Sequence, residues 1–172
     1  KKEEYVSFGD GQPHFLPPKE IYKDLDKIKD LSLEYSDMEG EISLRKKLGN
    51  PKEIIITNGA SEALNLVLGT LNKGDKVLLL RPFYYAFLSL LKANHLKPVF
   101  FDTVDGKIDF NKLEKEIKKV KAVILNSPNN PTGYILEENI IKKIEQITQK
   151  RNILVIFDAV YSNFIYNRSY YQ

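Results

Sequence analysis

Ser127-Pro128-Asn129-Asn130-Pro131-Thr132-Gly133 decides the fold of this chain. An apolar run, Lys121 to Leu125, leads into it with the composition of a short buried strand. A helical run, Glu137 to Lys150, leaves it. Two prolines restrict the backbone and a closing glycine admits a tight turn, so the stretch reads as a rigid loop between strand and helix. A second apolar run, Ile153 to Phe157, follows the helix and ends on Asp158. Strand, helix and parallel strand form a βαβ unit, which brings Asn130 and Asp158 to one edge of one sheet. Taken alone, the loop is equally a structural turn, and its neighbours must decide.

The same alternation extends upstream. Ile54-Ile55-Ile56-Thr57, Val77-Leu78-Leu79-Leu80 and Pro98-Val99-Phe100-Phe101 read as further short strands. Helices are predicted over Glu62 to Leu71, Phe83 to Ala93 and Phe110 to Lys119, with Leu64, Val67, Leu68, Leu71, Leu113 and Ile117 facing a core. Together with the runs at 123–125 and 153–157 this makes five strands alternating with helices. The expected fold is α/β, a mostly parallel sheet with flanking helices. The runs are continuously apolar, as strands covered on both faces are.

The amino-terminal part differs. Gly9-Asp10-Gly11-Gln12-Pro13 and Pro17-Pro18 make an irregular arm, and its GxG is no dinucleotide fingerprint because no GxGxxG continues. Pro18 opens a short helix, Lys19 to Lys29, and Glu41 to Leu48 reads as another. The chain thus divides into an arm with short helices, 1–48, and a partial α/β domain, 49–172. The tail from Tyr161 to Gln172 has neither a helix stop nor a closing strand and reads as interrupted.

Composition narrows the function. The 172 residues contain no cysteine, which excludes disulfides, zinc-thiolate sites and thiol catalysis. No segment is long and apolar enough to span a membrane, and the opening Lys1-Lys2-Glu3-Glu4 lacks the apolar centre of a secretory signal. The net charge of +3 comes from lysines scattered among acids, a solvated surface and not a nucleic-acid patch. A cytoplasmic protein without nucleic-acid or membrane partners is expected.

Ligands of open α/β sheets sit outside the carboxyl ends of the strands, and four predicted loops there carry suggestive residues. Gly59-Ala60-Ser61 opens a helix; small residues and the helix dipole suit a phosphate, and Ser61 adds a hydroxyl. An ordinary N-cap explains the same residues. Phe83-Tyr84-Tyr85 follows Pro82, and an aromatic there can stack on a flat ring or simply pack in the core. Asn130 can donate to an oxygen of such a ring. Asp158 ends a hydrophobic strand, where a carboxylate needs a cation or donor; a protonated ring nitrogen, a helix amide or a lysine would serve. Tyr161 can reach the same ligand. A phosphorylated, flat ring with a protonated nitrogen is pyridoxal 5′-phosphate (PLP), whose pyridinium is an electron sink for a carbanion.

These segments, taken in order, resemble the amino-terminal half of fold-type I, class I/II aminotransferases, the aspartate-aminotransferase-like family. Gly11-Gln12-Pro13-His14-Phe15 resembles the arm whose glycine lies near the substrate carboxylate, so the resemblance implies substrate contacts from Gly11 and Asn130. Tyr35, followed by Gly40 and Leu44-Arg45, resembles the segment whose tyrosine reaches the partner subunit's cofactor phosphate. Thr57-Asn58-Gly59-Ala60-Ser61-Glu62-Ala63-Leu64 resembles the phosphate cup. Arg81-Pro82-Phe83-Tyr84 resembles the loop with the ring-stacking aromatic, here Tyr84. Asn130-Pro131-Thr132-Gly133 resembles the loop whose asparagine contacts the phenolic oxygen. Phe157-Asp158-Ala159-Val160-Tyr161 resembles the segment with the pyridinium-pairing aspartate and the phenol-contacting tyrosine. The resemblance implies PLP, amino-acid and keto-acid substrates, and a homodimer.

The family's Schiff-base lysine would lie some tens of residues beyond Asp158, and the 172 residues hold no such segment. That lysine anchors the cofactor and moves the proton at the reacting carbon. Lys121 and Lys150 sit away from the ligand edge. The arginine that binds the substrate carboxylate belongs to the family's other domain. Tyr85 stands where proline is common, and the segment between Leu48 and Glu53 is short. The chain alone is therefore expected to be inactive: a fragment of a longer enzyme, half of a split one, or a remnant. A carbon–sulfur lyase or an aminocyclopropane-carboxylate synthase would share every motif. A non-catalytic PLP-binding or dimerisation fragment, or a mononucleotide-binding α/β domain, also stays open.

Overall fold

The computed structural model of this chain describes residues 15–28, 34–103 and 107–166. The chain divides into two units, Lys1–Ile56 and Thr57–Gln172.

The first unit holds helices α1 (Lys19–Ile28) and α2 (Ile42–Leu48). Ile21, Leu25 and Ile28 share one side of α1, as their spacing predicts, and each is about half exposed. Order in 37–56 comes mainly from polar contacts. Arg45, on α2, is buried, and its guanidinium donates to the carbonyls of Gly40 (2.9 Å) and Pro51 (2.7 Å). Gly40 has φ +92°, and a Cβ there would stand 2.5 Å from Ile56 Cβ, so the turn requires glycine on both counts.

The expected strand at 54–57 does not form. Ile56 donates one backbone bond to Glu39 O (2.9 Å), but among the described residues the segment joins no sheet, and Ile55 is exposed. An apolar run becomes a strand only where another edge accepts its ladder, and this one meets a turn.

The second unit is the expected α/β layer structure, with four strands among the described residues in place of five. In chain order it contains α3 (Gly59–Leu68), β1 (Lys76–Arg81), α4 (Ala86–Ala93), β2 (Lys97–Asp102), α5 (Phe110–Ile117), β3 (Ala122–Asn126), α6 (Glu138–Gln149) and β4 (Leu154–Asp158), then a 3-10 turn at Ser162–Phe164. All strand pairings are parallel, and the strand order is β2-β1-β3-β4. The chain moves outward from β1 to β2, then returns to the other side of β1 to lay down β3. The carboxyl ends of β1 and β3 therefore open a crevice where the winding reverses.

Side chains alternate across the sheet and build two cores. Val77, Leu79, Ala122, Ile124 and Ile156 pack with Leu64 and Leu68 of α3 and with Phe87 and Leu91 of α4. Leu78, Val123 and Leu125 pack on the other face with Leu113 and Ile117 of α5 and with Ile140, Ile141 and Ile144 of α6. β3 is buried at every position, which explains why its sequence shows no polar alternation.

Two helices start three residues away from where their patterns suggest. α3 begins three residues earlier than expected, at Gly59, because Glu62 Oε2 accepts from both Asn58 N–H and Asn58 Nδ2 and fixes the entry. α4 begins at Ala86, so Phe83 and Tyr84 lie in a loop, where Phe83 stacks on Phe100 with ring centres 5.8 Å apart.

Candidate active site

Asp158 is the last residue of β4, two positions beyond Ile156, and so lies toward the face that α3 and α4 cover. It is partly buried. Burial pushes its carboxyl group up from the ordinary range, and the Val160 N–H, donating to Oδ1 at 3.2 Å, pulls the other way. Among the described residues, no lysine or arginine pairs with it. A half-buried carboxylate with one amide donor is a ready partner for a cation.

Asn130 and Tyr161 meet beside it, with Asn130 Nδ2 3.4 Å from the Tyr161 hydroxyl. Tyr84 belongs to the same cluster. Burial is the largest influence raising its phenol, followed by Tyr85, Tyr161 and Asp158, so these groups feel one another electrostatically. Its ring packs edge-on against Tyr85 (5.0 Å) and Phe87 (5.7 Å). Tyr84 therefore packs against the core while lying within electrostatic reach of Tyr161 and Asp158.

Gly59, Ala60 and Ser61 form the first turn of α3. The helix runs back toward the start of β1, so its amino end lies at the strands' carboxyl edge. Gly59 has φ +78° and open space where a Cβ would stand. Ser61 is exposed within the turn and is not the N-cap; the N-cap, Asn58, makes no capping bond with its own side chain, and its N–H donates to the Glu62 carboxylate. The Gly59 N–H donates to Thr57 O (2.8 Å), while the amides that follow in the first turn lack helical partners, which suits them to an anion. Lys121 and Lys150 lie at the opposite edge, before β3 and after α6. Tyr35 is in the amino-terminal unit with its side chain fully exposed, and Gly11 lies outside the described residues.

Polar residues that the motif reading passed over organise the loop after β3. Asn126, 8% exposed, accepts from Asn130 N–H (2.7 Å) and donates to Asp158 O (3.3 Å). Asn129 Nδ2 donates to Pro82 O (3.1 Å), and its Oδ1 accepts from Thr132 Oγ1 (2.7 Å), fastening this loop to the end of β1. Ser127, completely buried, accepts from Leu136 N–H at 3.0 Å. The available signal was a polar residue closing an otherwise apolar strand, which is costly unless its bonds are made. Beside these residues the crevice opens a cavity of about 680 Å³ lined by Pro82, Phe83, Asn126, Asn129 and Tyr134, among others.

The arrangement fits PLP on its own chemistry: a carboxylate short of a cation, an amide and a phenol side by side, an aromatic ring, and a helix start with first-turn amides at Ala60 and Ser61. Comparison with known proteins agrees. Residues 3–172 match the sequence pattern of the family described as aminotransferase class I and II. A probable aspartate aminotransferase of Methanocaldococcus jannaschii is 33% identical over 97% of this chain and 48% of its own length. A probable N-acetyl-LL-diaminopimelate aminotransferase of Bacillus subtilis is 32% identical over 99% of this chain and 48% of its own. Among solved structures, the aspartate aminotransferase of Thermotoga maritima superposes with a TM-score of 0.89 at 25% identity, covering 99% of this chain and 50% of that one. The chain spans about half the length of the relatives it matches. The family is PLP-dependent. Sequence, sheet topology and the residues gathered at its carboxyl edge agree, and the chain belongs to the class I and II aminotransferases.

Proposed function

We propose that the protein carrying these residues is a PLP-dependent aminotransferase that moves an amino group from an amino acid to a keto acid. The observation that carries the proposal is the Asp158 carboxylate, half-buried at the carboxyl end of β4 and without a cationic partner among the described residues. Bound PLP would supply the electron sink that acidifies the amino acid's Cα–H bond.

Each residue has a role in that reading. Asp158 holds the proton on the ring nitrogen, because a carboxylate beside a pyridinium favours its charged form. Asn130 and Tyr161 donate to the phenolic oxygen. Tyr84 covers one ring face and limits water there. Gly59 and the first-turn amides of α3 at Ala60 and Ser61, with the Ser61 hydroxyl, take the phosphate. Gly11 and Asn130 contact the substrate. We further propose a homodimer in which Tyr35 reaches the partner's phosphate; its full exposure leaves it free to do so. The proton-transferring lysine and the carboxylate-binding arginine are assigned to residues outside 1–172. We divide the chain into an amino-terminal arm, 1–48, and a partial PLP domain, 49–172, and place the protein in the cytoplasm. The absence of cysteine supports that location, and among the described residues no helix is long and apolar enough to cross a membrane.

Titrating the full-length protein with PLP tests the reading. Saturable binding with a changed absorbance band is expected, weakened by about tenfold or more in Asp158→Ala, since a hydrogen-bonded ion pair contributes about 1.5–3 kcal/mol. Equal PLP affinity in the parent and Asp158→Ala would remove the proposal's main support. Amino transfer to a keto acid by the full-length protein separates this activity from lyase chemistry.

A further inference from the structure

β3 is apolar and buried from Ala122 through Leu125, and its last residue, Asn126, is buried too. Its register partner on β4 is Asp158. An amide in that position is costly unless its donor and acceptor are used, and both are. Nδ2 donates to the Asp158 carbonyl at 3.3 Å, which anchors the side chain to β4. Oδ1 accepts from the Asn130 N–H at 2.7 Å. Asn130 then turns its own Nδ2 toward the Tyr161 hydroxyl. The backbone of the loop residue is thus suspended from the strand that bears the carboxylate.

We propose that Asn126 is a positioning residue of the cofactor site: it fixes Asn130 relative to the end of β4, and so sets where the Asn130 amide meets its ligand. This inference rests on the PLP reading above. Asn126 acts through Asn130.

A double-mutant cycle with PLP as the probe tests this in the full-length protein. Asn126→Ala should weaken PLP binding by about tenfold, the size of one hydrogen bond's loss. In an Asn130→Ala background the same change should cost under about twofold, because there is no side-chain amide left to position. A purely structural role would lower affinity equally in both backgrounds, and that result overturns the proposal. A second readout needs no cofactor: hydrogen exchange at the Asn130 amide should speed up about tenfold in Asn126→Ala. Unchanged exchange also overturns the positioning role. Failure of the parent protein to bind PLP instead overturns the cofactor reading, so the two failures are distinct. Should Asn126→Ala not fold, Asn126→Gln, which keeps both amide groups but moves them outward by about 1.5 Å, enters the same cycle.

Discussion

Replacing Arg45 with methionine should open the 37–56 segment. Among the described residues of the amino-terminal unit, Arg45 is the one that is buried. Two of its bonds go to backbone carbonyls, at 2.9 Å to Gly40 O and 2.7 Å to Pro51 O. Hydrogen bonds from a charged donor contribute about 1.5–3 kcal/mol each, so the pair supplies roughly 3–6 kcal/mol. The third contact, to Asp37 at 3.4 Å, adds little, because that carboxylate is 62% exposed. Methionine fills a similar volume and returns part of the apolar burial, but leaves both carbonyls without their donor. A net loss near 3 kcal/mol raises the open population about 100-fold. Native-state hydrogen exchange reads it at the amides of Gly40, bonded to Asp37 O, and Ile56, bonded to Glu39 O, with the Ser127 amide as an internal reference. Arg45→Lys should fall between parent and Arg45→Met, since an ammonium does not reproduce the guanidinium fork. Unchanged exchange at Gly40 and Ile56 in Arg45→Met would refute the view that one buried cation orders this segment. Tyr35 lies two residues before Asp37, so the same loosening would reach the residue proposed to cross to a partner subunit.

Two further outcomes follow from the second unit. Burial raises the Asp158 carboxyl, so its protonated form stabilises the fold fully below the ordinary value of 3.8, and this contribution is lost as pH rises through the folded value. Without PLP, the neutral Asp158→Asn variant should therefore have a higher urea midpoint than the parent at neutral pH, and the two should converge in acid; a more stable parent at neutral pH contradicts the assignment. Ser127→Ala should destabilise the protein by about 1–3 kcal/mol, measured by urea unfolding, because it leaves the Leu136 N–H without the acceptor now at 3.0 Å. A neutral result there means another group takes that amide.

The gathering of the candidate residues at the carboxyl edge was largely legible because its parts are local. Asn130 sits in a proline-bounded loop after an apolar run, and Asp158 closes another such run. Tyr84, Asn130, Asp158 and Tyr161 meet because parallel strands put all their carboxyl ends on one side, whatever their order. Asn126 and Asn129 were not legible, since nothing in Asn-Ser-Pro-Asn-Asn tells which amide faces a ligand and which binds backbone. That depends on β4 lying beside β3, and on Pro82 lying across the crevice.

Short apolar runs alternating with helical patterns already specify a parallel α/β sheet covered on both faces. Local chemistry suffices for that, because burial and helix periodicity are written in neighbouring residues. Long-range contacts settle the rest: among the described residues 54–57 join no sheet, β3 inserts between β1 and β4, and Arg45 is buried among carbonyls. Each of these depends on hydrogen-bond partners supplied by other segments of the folded chain, and an apolar or charged residue carries no mark of the partner it will meet.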